Sequence, residues 1–148
     1  MTTTTTPQTA APTRAGSDTD APVGVVTGTP RTWLRLEGLT LLIGALAGFV
    51  TTGEAWWLVP ALLLLPDVAA LGYLWSTRVG AHLYNLTHAA PMPAALAGIG
   101  LGQHQSLVLA IAMIWLAHIG IDRAMNYGLE YHDASRHTHL GWHNSRRR

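Results

Sequence analysis

Four apolar segments, each long enough to cross a membrane, are the strongest constraint on how this chain can fold. At about 1.5 Å of rise per residue, a helix of some 20 residues spans the roughly 30 Å hydrocarbon core of a bilayer. The connections between the segments are short and polar, which favours antiparallel neighbours. The sequence therefore predicts an all-α integral membrane protein, an up-down antiparallel bundle of four transmembrane helices at 33–51, 55–75, 79–101 and 105–127.

The composition agrees with lipid as the surrounding solvent. Of 148 residues, 49% are hydrophobic and 11% are charged, whereas an ordinary soluble domain is about 25% charged. The chain has no cysteine, which excludes a disulfide framework or a cysteine zinc site. A net charge of +1 gives no indication of nucleic-acid binding. The expected partner is membrane lipid, not nucleic acid.

The two ends of the chain differ from the apolar middle. Residues 1–30 are rich in Thr, Ala, Pro and Gly, and too poor in large apolar side chains to offset the entropy of ordering, so they are predicted to be a disordered tail. Residues 31–128 form the predicted membrane domain. Residues 129–148 are a His/Arg-rich cytosolic segment, in which His132, His137 and His143 are interpreted as part of a flexible surface tail. His139 is expected to be able to fold back over the site.

Arginine placement predicts the orientation, because basic residues beside membrane spans are retained in the cytoplasm. The first and third connections carry no Arg. All arginines next to the spans therefore fall on one side, which predicts an inner (plasma) membrane protein with both termini cytoplasmic. These arginines are Arg31, Arg35, Arg78, Arg123, Arg136 and Arg146 to Arg148.

On this topology, every helix carries a polar side chain in its inner half. His118 and Asp122 are four residues apart, so both project from one face of the fourth helix. An ionised group at the bilayer centre costs about 2.5 to 3.5 kcal/mol, so such groups normally face a partner or a water-filled cavity. Convergence inside the bundle is therefore expected for Glu37, Asp67, Asn85, His88, His118 and Asp122.

Prolines lie at the level of these polar groups. Pro66 directly precedes Asp67, and Pro91 and Pro93 follow His88. A proline removes one backbone donor and frees a carbonyl one turn earlier. The spacing predicts kinks in the second and third helices that open room for a cavity.

Several stretches resemble one family of small multi-pass bacterial membrane proteins. They are RLEG at 35–38, LLLLPDVAALGYL at 62–74, RVGAHLYNLTHAAPMP at 78–93, HIGIDRAMNYGLEY at 118–131 and THLG at 138–141. Together they are similar to the family called domain of unknown function 4260, over residues from about 35 to 141. The chain departs from that pattern at Asn126, where glycine is expected, and at Glu130, where lysine is expected. The resemblance implies a membrane location and supplies no chemistry.

Chemistry must come from the side chains themselves. Carboxylate oxygens and imidazole nitrogens form a mixed set that suits iron, manganese or zinc. We expect Asp67, His88, His118 and Asp122 to act as ligands or acid–base groups, with Glu37 as a further ligand. Supporting partners for these groups are predicted at Tyr84, Asn85, Arg123 and His139. The first functional hypothesis is a metal-assisted membrane enzyme acting on a lipid-like or small apolar substrate.

The alternative hypothesis is a non-enzymatic membrane protein. Polar side chains often hold membrane helices together through hydrogen bonds, each worth about 0.6 kcal/mol. The same histidines could also relay protons or line a path for a small solute. Four spans without an internal repeat would need a homo-oligomer to line such a path.

Overall fold

The computed structural model describes residues 24–133 and 137–142, which are helical apart from one small hairpin. The all-α class is confirmed. The elements are α1 (Gly28–Thr52), α2 (Leu58–Leu62), a 3₁₀ helix (Pro66–Leu74), α3 (Thr77–Thr87), α4 (Pro91–Gly102), α5 (Ser106–Ala124), β1 (His137–Thr138) and β2 (Gly141–Trp142). A disordered tail was predicted for residues 1–30. Residues 1–23 of that tail lie outside the described residues, and residues 28–30 form the first turn of α1.

Helices α1 and α5 form the main helix pair, and glycines allow their backbones to approach closely. A Cβ added at Gly120 would lie 2.6 Å from the Leu42 backbone nitrogen, and one at Gly38 would lie 2.7 Å from the Ala124 nitrogen. Two arginines of α1 reinforce the pair near the start of α1 and the end of α5. The Arg35 Nε donates to the Ala124 carbonyl at 2.9 Å, and the Arg31 Nε donates to the Asn126 side chain at 2.9 Å.

The second and third predicted helices are each divided into two shorter elements, and four membrane-spanning helices are not confirmed among the described residues. The segment 55–75 divides into α2 and the 3₁₀ helix, which begins at Pro66, and the segment 79–101 divides into α3 and α4, which begins at Pro91. Proline has no backbone N–H to continue a helix and its ring crowds the preceding turn. The division at Pro91 interrupts the helix, whereas at Pro66 the hydrogen bonding changes to the 3₁₀ pattern and the backbone at Leu63 and Leu65 stays helical.

The two divisions face each other and α5. The Thr87 hydroxyl lies 3.2 Å from the Pro66 carbonyl oxygen, to which it can donate. The Trp115 indole N–H, from the middle of α5, donates to the Thr87 carbonyl at 2.6 Å. These bonds place the residues that follow each partner, Asp67 and His88, at the same level of α5.

Two helices of the described residues, α1 and α5, are long and apolar enough to cross a membrane. Only 17% of the most apolar stretch of α1 is buried in the chain, and 39% of that of α5. Large apolar side chains on the remaining surface point outward, among them Trp33, Ile43, Leu64, Leu74 and Trp75. A core helix of a soluble protein would instead be mostly buried, so this surface is consistent with a lipid environment.

The segment after α5 folds back onto the start of α1. Strands β1 and β2 pair antiparallel, and the Thr138 hydroxyl accepts from the Gly141 N–H at 3.0 Å. The Val26 N–H donates to the His139 carbonyl at 2.8 Å. His137 is 6% exposed and lies 2.7 Å from an Asp133 oxygen, so its prediction as a surface-tail residue is wrong. His132 is exposed, and His143 lies outside the described residues.

The close approach of α1 and α5 predicts a large cost for Gly120→Ala. The added methyl would meet the backbone of α1, which cannot give way locally, so we expect a loss of about 1 to 3 kcal/mol of stability. The matched control is Gly44→Ala, where a Cβ meets nothing within 4 Å. That change should stabilise α1 by about 1 kcal/mol. Thermal unfolding of the detergent-solubilised variants measures both, and equal stability of the two variants would contradict this packing.

Candidate metal centre

Four of the sequence-predicted side chains come together from three elements. Asp67 lies in the first turn of the 3₁₀ helix, and His88 directly follows the last residue of α3. His118 and Asp122 lie one turn apart on α5. The proline breaks bring the first two to α5, and helical periodicity presents the last two on one face.

The polar atoms of these four residues are within 3.5 Å of one another in most pairs. The two Nε2 atoms of His88 and His118 are 3.0 Å apart. Asp67 Oδ1 lies 3.2 Å from the first and 3.5 Å from the second, and Asp122 Oδ2 lies 3.5 Å from each. Both imidazoles are 4% exposed, whereas the Asp67 side chain is 48% exposed. The cluster is therefore closed on its imidazole side and open beside Asp67.

The tautomer of His88 follows from its other ring nitrogen. Its Nδ1 lies 2.9 Å from the Tyr84 carbonyl oxygen, which can only accept a hydrogen bond. Nδ1 therefore carries the proton, and in the neutral ring the Nε2 lone pair points into the cluster. The Tyr84 ring also stacks on the imidazole, with centroids 3.7 Å apart and an interplanar angle of 10°. Such an outer hydrogen bond is the usual way in which a protein orients a histidine ligand.

The spacing of three of these atoms, Asp67 Oδ1 and the two Nε2 atoms, matches that of ligands around one first-row metal ion. Bonds of about 2.0 to 2.2 Å at octahedral or tetrahedral angles separate neighbouring ligand atoms by about 3.0 to 3.5 Å. Two imidazole nitrogens with two carboxylate oxygens suit zinc, iron or manganese. Asp67, His88 and His118 meet the distance requirement for shared metal ligation, and Asp122 adds a fourth oxygen at its 3.5 Å contacts.

The other predicted site residues have different positions. Glu37 is exposed on α1, on the surface of the described residues, and the structure does not bring it to the cluster. Tyr84 supports His88, as described above. Arg123 lines a small cavity beside His88 and Asp122. Asn85 and His139 bind the backbone of the C-terminal segment, at Glu130 and Leu129 respectively.

A cavity of about 510 Å³ opens beside the cluster. Its wall includes both carboxylates of the cluster, so a ligand in the cavity would reach a bound ion from that side. Sequence reasoning missed three of its polar lining residues. Only their positions in the sequence could have indicated them. Tyr73 follows Asp67 by six residues, and Tyr127 and Glu130 lie just past the end of α5. The lining residues are Asp67, Ala70, Tyr73, Tyr84, Asp122, Tyr127 and Glu130.

A smaller cavity of about 130 Å³ adjoins the cluster through sequence neighbours of its residues, and we call it the apolar groove. Pro66 and Thr87 line it, and they directly precede Asp67 and His88. Leu62, Leu65, Ile111 and Trp115 complete its wall. The polar cavity is thus lined by the two carboxylates of the cluster, and the apolar groove by residues next in sequence to Asp67 and His88.

The C-terminal segment supplies one wall of the polar cavity, and an amide holds it there. The Asn85 side-chain NH₂ donates to the Glu130 carbonyl at 2.8 Å, and the Glu130 N–H donates to the Asn85 side-chain oxygen at 2.7 Å. The Tyr73 hydroxyl donates to the Glu130 carboxylate. Glu130 is consequently 9% exposed, with both its backbone and its side chain fixed.

His139 ties the same segment to the end of α5. The Leu129 N–H donates to its Nδ1 at 3.0 Å, which requires that nitrogen to be unprotonated. Burial lowers the pKa of the His139 imidazole below its usual value of 6.5, and the nearby positive charge of Arg123 acts in the same direction. His139 was predicted to complete the site. In the structure it instead binds the backbone of Leu129, next to Glu130 in the lining of the polar cavity.

Comparison with known proteins gives one match. The model of the family described as domain of unknown function (DUF4260) matches residues 31–142, which include every residue of the cluster and of the polar cavity. No curated protein and no solved structure matches the chain.

The hydrogen bond from the Leu129 N–H to His139 predicts that the C-terminal segment is released from α5 at acid pH. Since the folded-state pKa of His139 is lowered, its contribution to stability is full above pH 6.5 and falls as the pH drops below that value. Limited proteolysis from about pH 7.5 to about pH 5 should show faster cleavage after Tyr127 at the acid end.

The matched variants separate His139 from other acid effects. His139→Asn keeps an acceptor for the Leu129 N–H and does not titrate, so it should flatten this pH dependence. His132→Gln changes an exposed histidine of the same segment and should leave it unchanged. An unchanged pH profile in His139→Asn would contradict the assignment.

Proposed function

The chain belongs to the family described as domain of unknown function (DUF4260), and we propose that it is a metal-dependent integral membrane enzyme. Asp67, His88, His118 and Asp122 would hold one Zn, Fe or Mn ion, and the substrate would be lipid-like or a small apolar molecule. The observation that carries this proposal is the convergence of two buried imidazole nitrogens and the Asp67 carboxylate oxygen at ligand spacing beside an open cavity, with an Asp122 oxygen 3.5 Å from each imidazole.

The proposed topology has four crossings with both termini cytoplasmic, in the inner membrane. Helices α1 and α5 would cross alone, and the two broken pairs, α2 with the 3₁₀ helix and α3 with α4, would make the other two crossings. Non-helical backbone is tolerated at membrane depth where it is buried in protein. The bond from the Trp115 indole to the Thr87 carbonyl supports this topology, because Pro91, four residues later, has no N–H to donate to that carbonyl.

A metal ion accounts for the cluster better than a hydrogen-bonded layer does. With Nδ1 of His88 protonated, its Nε2 lone pair faces the carboxylate oxygens of Asp67 and Asp122 at 3.2 and 3.5 Å. Lone pairs at these distances repel unless a proton or a metal ion lies among them. A metal ion satisfies several of these atoms at once, whereas one proton on an Nε2 atom could satisfy one acceptor.

The metal-free alternative keeps one specific observation in its favour. The 3.0 Å separation of the two Nε2 atoms is also a good length for an N–H···N hydrogen bond. In that case the cluster would be a structural layer or a proton path with no bound ion, and metal analysis distinguishes it from the enzyme.

The chemistry that fits best is hydrolysis, because water is its only co-reactant. A bound divalent ion supplies Lewis acidity and lowers the pKa of a coordinated water. The buried imidazoles would hold the ion from the closed side. Asp67, which is half exposed, would leave the cavity side accessible to water and substrate. Tyr84 would keep His88 in the tautomer that donates its Nε2 lone pair.

Metal content of the untagged, detergent-purified protein tests this proposal. We expect roughly one zinc, iron or manganese ion per folded chain, measured by mass spectrometry. His88→Ala, His118→Ala and Asp67→Asn should each lower the metal affinity by at least about tenfold, because each removes a ligand atom.

His82→Ala is the matched control, since His82 is an exposed histidine of α3 whose ring contacts that of His132. It should retain the ion. A well-folded wild-type protein that holds no metal and binds none on titration would refute the enzyme proposal and favour the hydrogen-bonded layer.

A further inference from the structure

We infer that the start of α1 binds the phosphate of an anionic phospholipid, with an acyl chain of the lipid lying along the same face of the helix. The site is a surface groove of about 420 Å³, which we call the α1 groove. It is lined by Thr32, Arg35, Leu36, Leu39 and Ala124. This inference rests on the membrane location in the proposed function and does not require a bound metal ion.

One hydrogen bond orients the cation of the α1 groove. The Arg35 Nε donates to the Ala124 carbonyl at 2.9 Å, at the end of α5. That bond fixes the plane of the guanidinium and leaves its two Nη amino groups for other acceptors. Among the described residues, no Asp or Glu forms an ion pair with Arg35. The guanidinium is therefore an oriented cation that can bind a phosphate.

Thr32 adds a second polar group to the α1 groove, one turn before Arg35. Residues three apart lie on the same face of a helix, and both side chains line the groove. Thr32 is exposed, and its hydroxyl forms no hydrogen bond with the described part of the chain. The Thr40 hydroxyl, by contrast, donates to the Leu36 carbonyl at 2.9 Å. A phosphate has several acceptor oxygens, so Thr32 and Arg35 can donate to it together.

The electrostatics of the helix start favour an anion at the same place. The first turn of α1 has no acidic residue, and the side chain of the N-cap residue, Thr27, does not cap the helix. The helix dipole is positive at this end, and Arg31 lies one turn before Arg35. Glu37 is two residues beyond Arg35 and so projects from a different face. A lipid with a net negative charge is therefore favoured over one whose phosphate is balanced by choline.

The apolar part of the α1 groove continues in the direction that a lipid requires. Leu36 and Leu39 are 47% and 44% exposed, and they follow Arg35 along the helix. On the proposed topology α1 enters the bilayer from the cytoplasmic surface, so Leu39 lies about 6 Å deeper than Arg35. The groove thus has its polar end toward the headgroups and its apolar end toward the hydrocarbon. A free phosphate would not contact the leucines, so the occupant is a lipid.

Lipid binding to the purified full-length protein in detergent tests the inference by native mass spectrometry. The probes are dioleoyl phosphatidylglycerol, dioleoyl phosphatidylcholine and glycerol 3-phosphate, which separate the net charge from the acyl chains. We expect phosphatidylglycerol to bind at least about fivefold more tightly than phosphatidylcholine, and glycerol 3-phosphate to bind more weakly than either. Equal binding of the two lipids would overturn the inference. Glycerol 3-phosphate binding as tightly as phosphatidylglycerol would overturn it in favour of a site for free phosphate.

A matched pair of arginine variants assigns the headgroup to the α1 groove. Arg35→Gln should weaken phosphatidylglycerol about fivefold and leave phosphatidylcholine nearly unchanged. Arg31→Gln removes the same charge one turn away, together with a hydrogen bond to Asn126, but Arg31 does not line the groove. It should therefore keep most of the preference. Equal losses in the two variants would indicate a general attraction to positive charge and would overturn the site.

Two further variants cover the case in which Arg35→Gln fails to fold. Thr32→Val removes the hydroxyl and should weaken phosphatidylglycerol several-fold, whereas Thr40→Val, also exposed on α1 but outside the groove, should not. Leu39→Trp should fill the apolar part and weaken binding, whereas Ile43→Trp, exposed outside the groove, should not. Unchanged phosphatidylglycerol binding in both Thr32→Val and Leu39→Trp would overturn the inference.

Two measurements on the same preparation separate this inference from the proposed function. Release of the protein from membranes by an alkaline wash would overturn the membrane location and this site with it. An integral protein that prefers phosphatidylglycerol but binds no metal would overturn the proposed enzyme and support the lipid site. Bound metal without a lipid preference would overturn the lipid site and leave the metal centre supported.

Discussion

The hydrogen bond from the Trp115 indole to the Thr87 carbonyl positions the end of α3 against α5, and the candidate metal centre depends on that contact. The Thr87 hydroxyl lies within hydrogen-bond distance of the Pro66 carbonyl at the start of the 3₁₀ helix. Asp67 and His88 are the next residues in each segment. They contact His118 and Asp122 of α5 there, and the residues around this junction line both the polar cavity and the apolar groove.

In the candidate metal centre the two imidazoles are buried and the Asp67 carboxylate is half exposed, which fits the proposed chemistry. The imidazoles are almost fully buried and are oriented by outer contacts such as the Tyr84 carbonyl, whereas Asp67 faces the cavity. A buried, oriented ligand keeps a fixed geometry, and an exposed one leaves room for exchange with water or substrate. The segment after α5 completes the arrangement, since Asn85 holds the Glu130 backbone against α3.

Sequence reasoning reached the all-α class, the two long apolar helices and the family. It also singled out the four residues that the structure brings together, because helical periodicity and the cost of burying charge in lipid act locally. It expected proline kinks in the second and third helices, where the structure has a change to 3₁₀ geometry at Pro66 and an interruption before Pro91. It also could not exclude Glu37, since the rotation of α1 is set by glycine contacts with α5 that a single segment does not reveal.

The sequence by itself determined which side chains must avoid lipid, because a charged group in an apolar run carries its desolvation cost in any fold. It also determined where helices break, because proline lacks the backbone N–H. Only the tertiary structure decided the partners. Asn85 meets Glu130 across 45 residues and Arg31 meets Asn126 across 95. Contacts of that separation depend on how helices rotate and how the final segment returns, and both are set by packing of the whole chain.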